Sequence, residues 1–132
     1  MTGIDYPTIT VGAHENLVVR FSLAAQLLMR RRGIDPVNIF ALCAPRLQDG
    51  SANLDAVRNV LTIFAACVAE NFLDLSKPHR VDLDTAPTAD YWATQVEDFA
   101  AIEAVIGAAL GKAAEERRKR LAVVPPATEQ AS

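Results

Sequence analysis

A chain of 132 residues, 51% hydrophobic and 22% charged, can bury one core without help from disulfides or metal. Its net charge of −3 argues against nucleic acid as the main partner, because duplex binding requires concentrated basic surface. The abundance of alanine favours close-packed helices over sheets.

Ile9 and Val11 alternate with Thr8 and Thr10, which predicts a short strand. Gly12 to Asn16 reads as a turn, since glycine and asparagine tolerate unusual dihedrals. Leu17, Val19 and Phe21 then point one way, and Val18 and Arg20 the other. The pattern predicts a β-hairpin over about 8–21 with one buried face. An isolated hairpin is marginal in water, so this one must rest on helices or pair with another chain. Ser22 is a good N-cap for a first helix over 22–32, in which Leu23 and Leu27, and Ala24 and Leu28, recur at helical spacing. Arg30, Arg31 and Arg32 complement the helix dipole in the last turn, and Gly33 supplies a left-handed terminator.

Asp35 and Pro36 open a second helix, which must stop or kink near Ala44 because Pro45 lacks an N–H. Asn53 caps a third helix over 54–73, with Val57, Val60, Leu61, Phe64, Val68 and Phe72 along one stripe. Ser76 to Asp90 reads as a linker, within which Val81 and Leu83 suggest a strand fragment. A last helix is predicted from Thr88 or Ala89, carrying Trp92, Val96, Phe99, Ile102, Ile106 and Leu110 as its stripe. Gly107 and Gly111 weaken its end, although the run KAAEERRKRL can continue it. The predicted fold is mainly α: a compact bundle of about four helices preceded by a short N-terminal β-hairpin. One domain is expected over 1–122, with a flexible tail over 123–132.

The search for chemistry returns little. Only two histidines are present, His14 in the turn and His79 in the linker, and no spacing typical of metal ligands accompanies them. Cys43 and Cys67 sit in apolar stretches without CxxC spacing and read as buried free thiols of a reducing compartment. Asp82 and Asp84 read as solubilising loop acids, and the six glycines are too scattered to cradle phosphate. No enzyme activity, cofactor or metal is expected. The start lacks a signal peptide, and no apolar run approaches the ~18 residues of a membrane span, so a cytoplasmic chain is expected. Tyr91 and Trp92 read first as core anchors and alternatively as a partner-facing surface continued by Val96 and Phe99. Any face of the third helix left uncovered is a further candidate surface.

The order of these elements carries a resemblance. Ile9, Val11, Gly12, Leu17, Val19 and Phe21 form a ribbon that runs straight into the helix of Leu23, Leu27 and Leu28. A middle helix with Leu54, Val57, Val60 and Leu61 follows, then a terminal helix with a charged end. Over residues 8–112 this resembles the small tail assembly chaperones of long-tailed bacteriophages and gene transfer agents. The chain departs from them in its Arg-rich first helix end and its longer 76–90 linker. The resemblance implies a non-catalytic protein of the bacterial host cytoplasm that binds the tape measure protein, and the major tail protein, with self-association a further expectation. The competing readings are a structural tail-completion or connector component, and a small helical nucleic-acid-binding regulator using Arg30–Arg32 and Arg117–Arg120.

Overall fold

The structure, a computed structural model, describes residues 5–73, 76 and 82–123, with the side chains of 122 and 123 excepted. It is mainly α, with an antiparallel hairpin at the N-terminus. Strand β1 (Thr8–Val11) pairs with β2 (His14–Val18), Thr8 opposite Val18 and Ile9 opposite Leu17, before a bulge shifts Val11 opposite His14. The turn itself is only Gly12 and Ala13, shorter than expected. Gly12 (φ 57°) and Asn16 (φ 53°) both occupy the left-handed region, which is why glycine and asparagine stand there.

Five α-helices follow among the described residues. Helix α1 (Leu23–Arg31) is capped by Ser22, whose hydroxyl accepts from the Ala25 N–H at 3.1 Å. It ends in a Schellman motif: Ile34 N–H reaches Met29 O (2.9 Å) and Gly33 N–H reaches Arg30 O (3.2 Å), with Gly33 at φ 85°. A 3₁₀ turn (Pro36–Asn38), capped by Asp35 at the Val37 N–H, leads into α2 (Ile39–Cys43). The chain turns extended at Ala44, as the following proline demands.

Helix α3 (Ala56–Val68), continued by a 3₁₀ turn (Ala69–Phe72), is the axis of the molecule. The predicted single stripe is wrong in kind. Every residue from Val60 to Ala69 is buried, including Thr62, whose hydroxyl donates to Arg58 O at 2.8 Å. A helix that is apolar all round is covered all round. Helices α1, α2, α4 and α5 and strand β2 all pack on it, so only its first turn is left as an uncovered face. Asn53 does more than precede this helix. Its amide donates to Leu42 O (3.0 Å) and Ala44 O (2.9 Å), and Asn59 donates to Leu42 O (2.8 Å), so the open carbonyl end of α2 is satisfied from α3.

The single last helix is in fact two, α4 (Ala89–Gln95) and α5 (Phe99–Val123). The break falls at Val96, which is extended (ψ 124°), and Asp98 caps the new helix by accepting from the Ala101 N–H at 3.2 Å. Gly107 and Gly111 do not end α5, which runs on to Val123. Its N-terminal half is held by buried Ile102, Val105, Ile106 and Ala109, and Glu115 pairs with Lys112 (3.8 Å) and Lys119 (3.2 Å) further along. Leu83 lies in a 3₁₀ turn (Leu83–Thr85) rather than a strand fragment, while Val81 and the tail from 124 lie outside the described residues. No helix of the described residues is long and apolar enough to cross a membrane.

The hairpin closes over α3 through side chains as well as apolar contact. Val11, Leu17 and Val19 are buried beneath it. The Asn71 amide acts as a surrogate strand on the outer edge of β2: its oxygen accepts from Val18 N–H (3.1 Å) and its nitrogen donates to Val18 O (2.8 Å). The Arg20 N–H adds a bond to Cys67 O at 3.0 Å. The edge is thereby blunted within the monomer. Replacing Asn71 with alanine is expected to lower stability by about 1–2 kcal/mol, read by urea denaturation.

The Cys67 thiol is fully enclosed, and burial first, then Glu70, pushes its pKa up from 9.0 to about 12. The folded state therefore holds the thiol proton more tightly than the unfolded chain. The associated stability is intact below pH 9.0 and is lost as pH rises towards about 12. Near pH 10 the loss is on the order of 1 kcal/mol. A Cys67→Ala variant, whatever its stability at neutral pH, is expected to show a correspondingly shallower decline in chemical denaturation between pH 8 and pH 10.

Candidate partner-binding surface

Trp92 is completely buried at the centre of an aromatic cluster. The rings of His14 (5.1 Å), Tyr91 (5.1 Å), Phe64 (5.2 Å) and Phe72 (5.9 Å) all meet it edge-on. Edge-to-face contacts of this kind exploit the positive ring edge against the negative ring face. Its indole N–H meets no hydrogen-bond partner among the described residues. Trp92 therefore belongs to the core and offers no surface to a partner in this fold.

The other three residues of the expected surface are dispersed. Tyr91 is 37% exposed, with its hydroxyl 2.5 Å from Nε2 of His14, so it links α4 to the hairpin. Val96 is half-buried at the elbow between α4 and α5 and lines a cleft of about 330 Å³ against β1. Phe99 packs against the core from the first turn of α5. The spacing that joined Trp92, Val96 and Phe99 into one stripe spans a break in the helix, and the capping aspartate Asp98 is the signal that marks it.

The exposed apolar surface lies elsewhere. Helix α1 carries two apolar rows. Ala25, Leu28 and Met29 are buried, whereas Leu23 and Leu27, one turn apart on the other face, are 78% and 58% exposed. Leu23 lines a groove of about 700 Å³ between the start of α1 and the C-terminal half of α5. Its apolar lining includes Phe21, Leu110 and Ala113, and Arg117 and Arg120 stand on the α5 wall. No residue of α5 beyond Ala109 is buried among those whose side chains are described, so this wall projects from the core.

The groove is closed at one end by fixed polar contacts. Glu70 accepts from the hydroxyl of Ser22 and pairs with Arg20 at 3.9 Å. The Arg20 guanidinium lies over the Tyr6 ring, 4.8 Å from its centroid, and the Tyr6 hydroxyl donates to Glu116 at 3.2 Å. Glu70 and Glu116 are thus engaged within the fold, and the charges left facing the groove from α5 are cationic. The pattern suits an amphipathic helix with apolar anchors and an acidic flank.

A second apolar region lies between residues 37 and 57. Val37 and Phe40 (81% exposed each), Leu47, Leu54 and Val57 all face solvent there. Beside Phe40 runs an apolar groove of about 210 Å³ between α2 and α5. Cys43, on its wall, is partly buried, and desolvation, with Glu103 adding to it, raises its thiol pKa.

The remaining residues that drew attention in the sequence have fold roles. Arg30 pairs with Asp35 (3.8 Å) and Arg31 with Asp84 (3.4 Å), and Arg32 donates to Ala86 O (3.4 Å). The basic helix end thus holds the 82–86 turn. Asp82 caps that turn at the Asp84 N–H (3.0 Å). Nothing lies within 4 Å of a Cβ placed at Gly107 or Gly111, so neither mediates a close helix approach here. Among the described residues no group of three or more His, Cys, Asp or Glu is placed to hold a metal, and His79 lies outside them. The chain matches no protein-family model, and no curated protein or solved structure is significantly similar to it.

Core and surface separate cleanly in a stability measurement. Trp92→Ala is expected to cost about 3–5 kcal/mol. A Leu23→Ser, Leu27→Ser double variant is expected to stay within about 1 kcal/mol of the parent, because both side chains are exposed. Urea denaturation of the two variants side by side checks this.

Proposed function

We infer that this chain is a phage or prophage tail assembly chaperone, which binds the tape measure protein and keeps it in solution while the tail is built. The reading draws on the order of ribbon, first helix, middle helix and terminal helix over residues 8–112. The observation that carries it is the groove between α1 and α5, lined by exposed Leu23 and by Arg117 and Arg120, with Leu27 exposed one turn further along α1. A holding chaperone needs apolar surface that recognises helices, on a body whose own core is complete.

A long helical partner exposes apolar stripes before it assembles, and those stripes drive aggregation. Seating one stripe against Leu23 and Leu110 in the groove, with Leu27 extending the contact along α1, removes it from water. The cations on the α5 wall favour helices with acidic flanks and fix their orientation, as charged rims do in other helix-in-groove pairs. In this reading the role is non-catalytic and is exercised in the cytoplasm of the bacterial host, with the major tail protein as a second contact.

Co-expression with the tape measure protein of the same phage tests the reading. The partner is expected to remain in the soluble fraction only when this chain is present, and to co-purify with it. The Leu23→Ser, Leu27→Ser variant is expected to reduce recovery at least tenfold while retaining the parent's stability. A partner whose solubility is indifferent to this chain overturns the reading. Retention of the chain as stable rings in finished particles instead identifies a structural tail component.

A further inference from the structure

We propose that the lobe spanning residues 37–57 is a docking surface for a second copy of this chain, with Phe40 of each copy seated in the α2–α5 groove of the other. The proposal does not depend on the chaperone reading, since it concerns the chain alone and its groove shares only Leu110 with the one between α1 and α5.

The argument starts from the contents of that face. Phe40 is 81% exposed in a chain whose core is otherwise well filled, and Val37 stands one turn before it with equal exposure. Val57 lies one turn before Val60, which lines the groove, so the exposed row of α3 continues into the groove wall. Together with Leu47 and Leu54, these side chains present roughly 600 Å² of largely apolar surface, close to the ~800 Å² each partner contributes to a standard interface.

Knob and hole are neighbours on one face. The groove of about 210 Å³ is lined by Cys43, Val60, Ile106, Gly107 and Leu110, with Phe40 on its rim. Its volume accommodates one aromatic side chain. A surface that carries both a projecting ring and an apolar slot of matching size is complementary to itself, which is the condition for a two-fold contact.

The lobe is also held rigidly enough to present this surface. Asn53 and Asn59 bond the carbonyl end of α2, the Asn53 N–H bonds Pro45 O (2.9 Å), and Arg46 pairs with Ala52 as an isolated bridge. Little ordering remains to be done on association, which lowers its cost.

Analytical ultracentrifugation of the full chain, from roughly 1 μM to 1 mM, is the test. A monomer–dimer equilibrium with Kd in the micromolar range is expected. Phe40→Asp removes the knob, and Gly107→Leu fills the slot. Both leave the monomer intact, because Phe40 is exposed and nothing lies within 4 Å of a Cβ at Gly107. Each variant is expected to weaken the dimer at least tenfold with an unchanged or higher melting temperature. Mixing the two is expected to restore association in part, because one intact knob then meets one open slot. Maleimide labelling of Cys43 is expected to slow as protein concentration rises. A strict monomer over the whole range, or a dimer indifferent to both substitutions, overturns the proposal. A strict monomer in which Phe40→Asp abolishes capture of the tape measure protein assigns the lobe to that foreign helix instead.

Discussion

Between Val60 and Ala69 no side chain of the central helix reaches water, and this burial sets the form of the whole chain. A helix buried around its full circumference needs cover on every side, more than two or three neighbours of this length can give. Helices α1, α2, α4 and α5 take four sectors, and the hairpin takes the remaining one. This is why a chain that is otherwise helical opens with a ribbon. A flat, one-faced element closes the last gap with few residues, and Val11, Leu17 and Val19 supply its apolar face. The polar requirements fall at the two ends of the same helix. Asn53 and Asn59 satisfy the end of α2 at one pole, and Glu70 and Asn71 secure α1 and β2 at the other.

The aromatic cluster is the second consequence. Helix α4 is short, and one large side chain anchors it against α3. Trp92 does so by meeting rings from the hairpin, from α3 and from the 3₁₀ turn that follows it. Loading so much contact onto the core leaves two apolar regions outside it, Leu23 with Leu27 and the lobe around Phe40.

The local punctuation of the fold was legible in the sequence because it rests on neighbours in the chain. Ser22, Gly33, Asp35 with Pro36, and the halt before Pro45 all act within a few residues, and each behaves as its chemistry predicts. Side-chain direction was not legible in the same way. Periodicity identifies the rows Leu23–Leu27 and Ala24–Leu28 but not which of them faces inward, and α1 buries Leu28 with Met29 while Leu23 and Leu27 stay exposed. The same limit hid the break at Val96, where spacing continued across a change of helix. The Asn71 amide, which replaces a strand, and the Asn53 amide, which caps a distant helix, depend on contacts 53 and up to 11 residues away. No single-residue preference encodes these.

The contacts of the N-terminal ribbon have a temporal meaning. The ribbon and the residues leading into it are tied in turn to Asn71, to Tyr91 and to Glu116, all made later, at separations of 53, 77 and 110 residues. Domains are synthesised at roughly 5–20 residues per second, whereas hairpins form in microseconds. The ribbon therefore waits several seconds for the surfaces that hold it, with its apolar face open to whatever is nearby. Its attachment then proceeds as a zipper, each later helix adding one lock, and the last closes only when the terminal helix has nearly emerged. Retention of the ribbon is thereby decided by segments made well after it, as far along as Glu116.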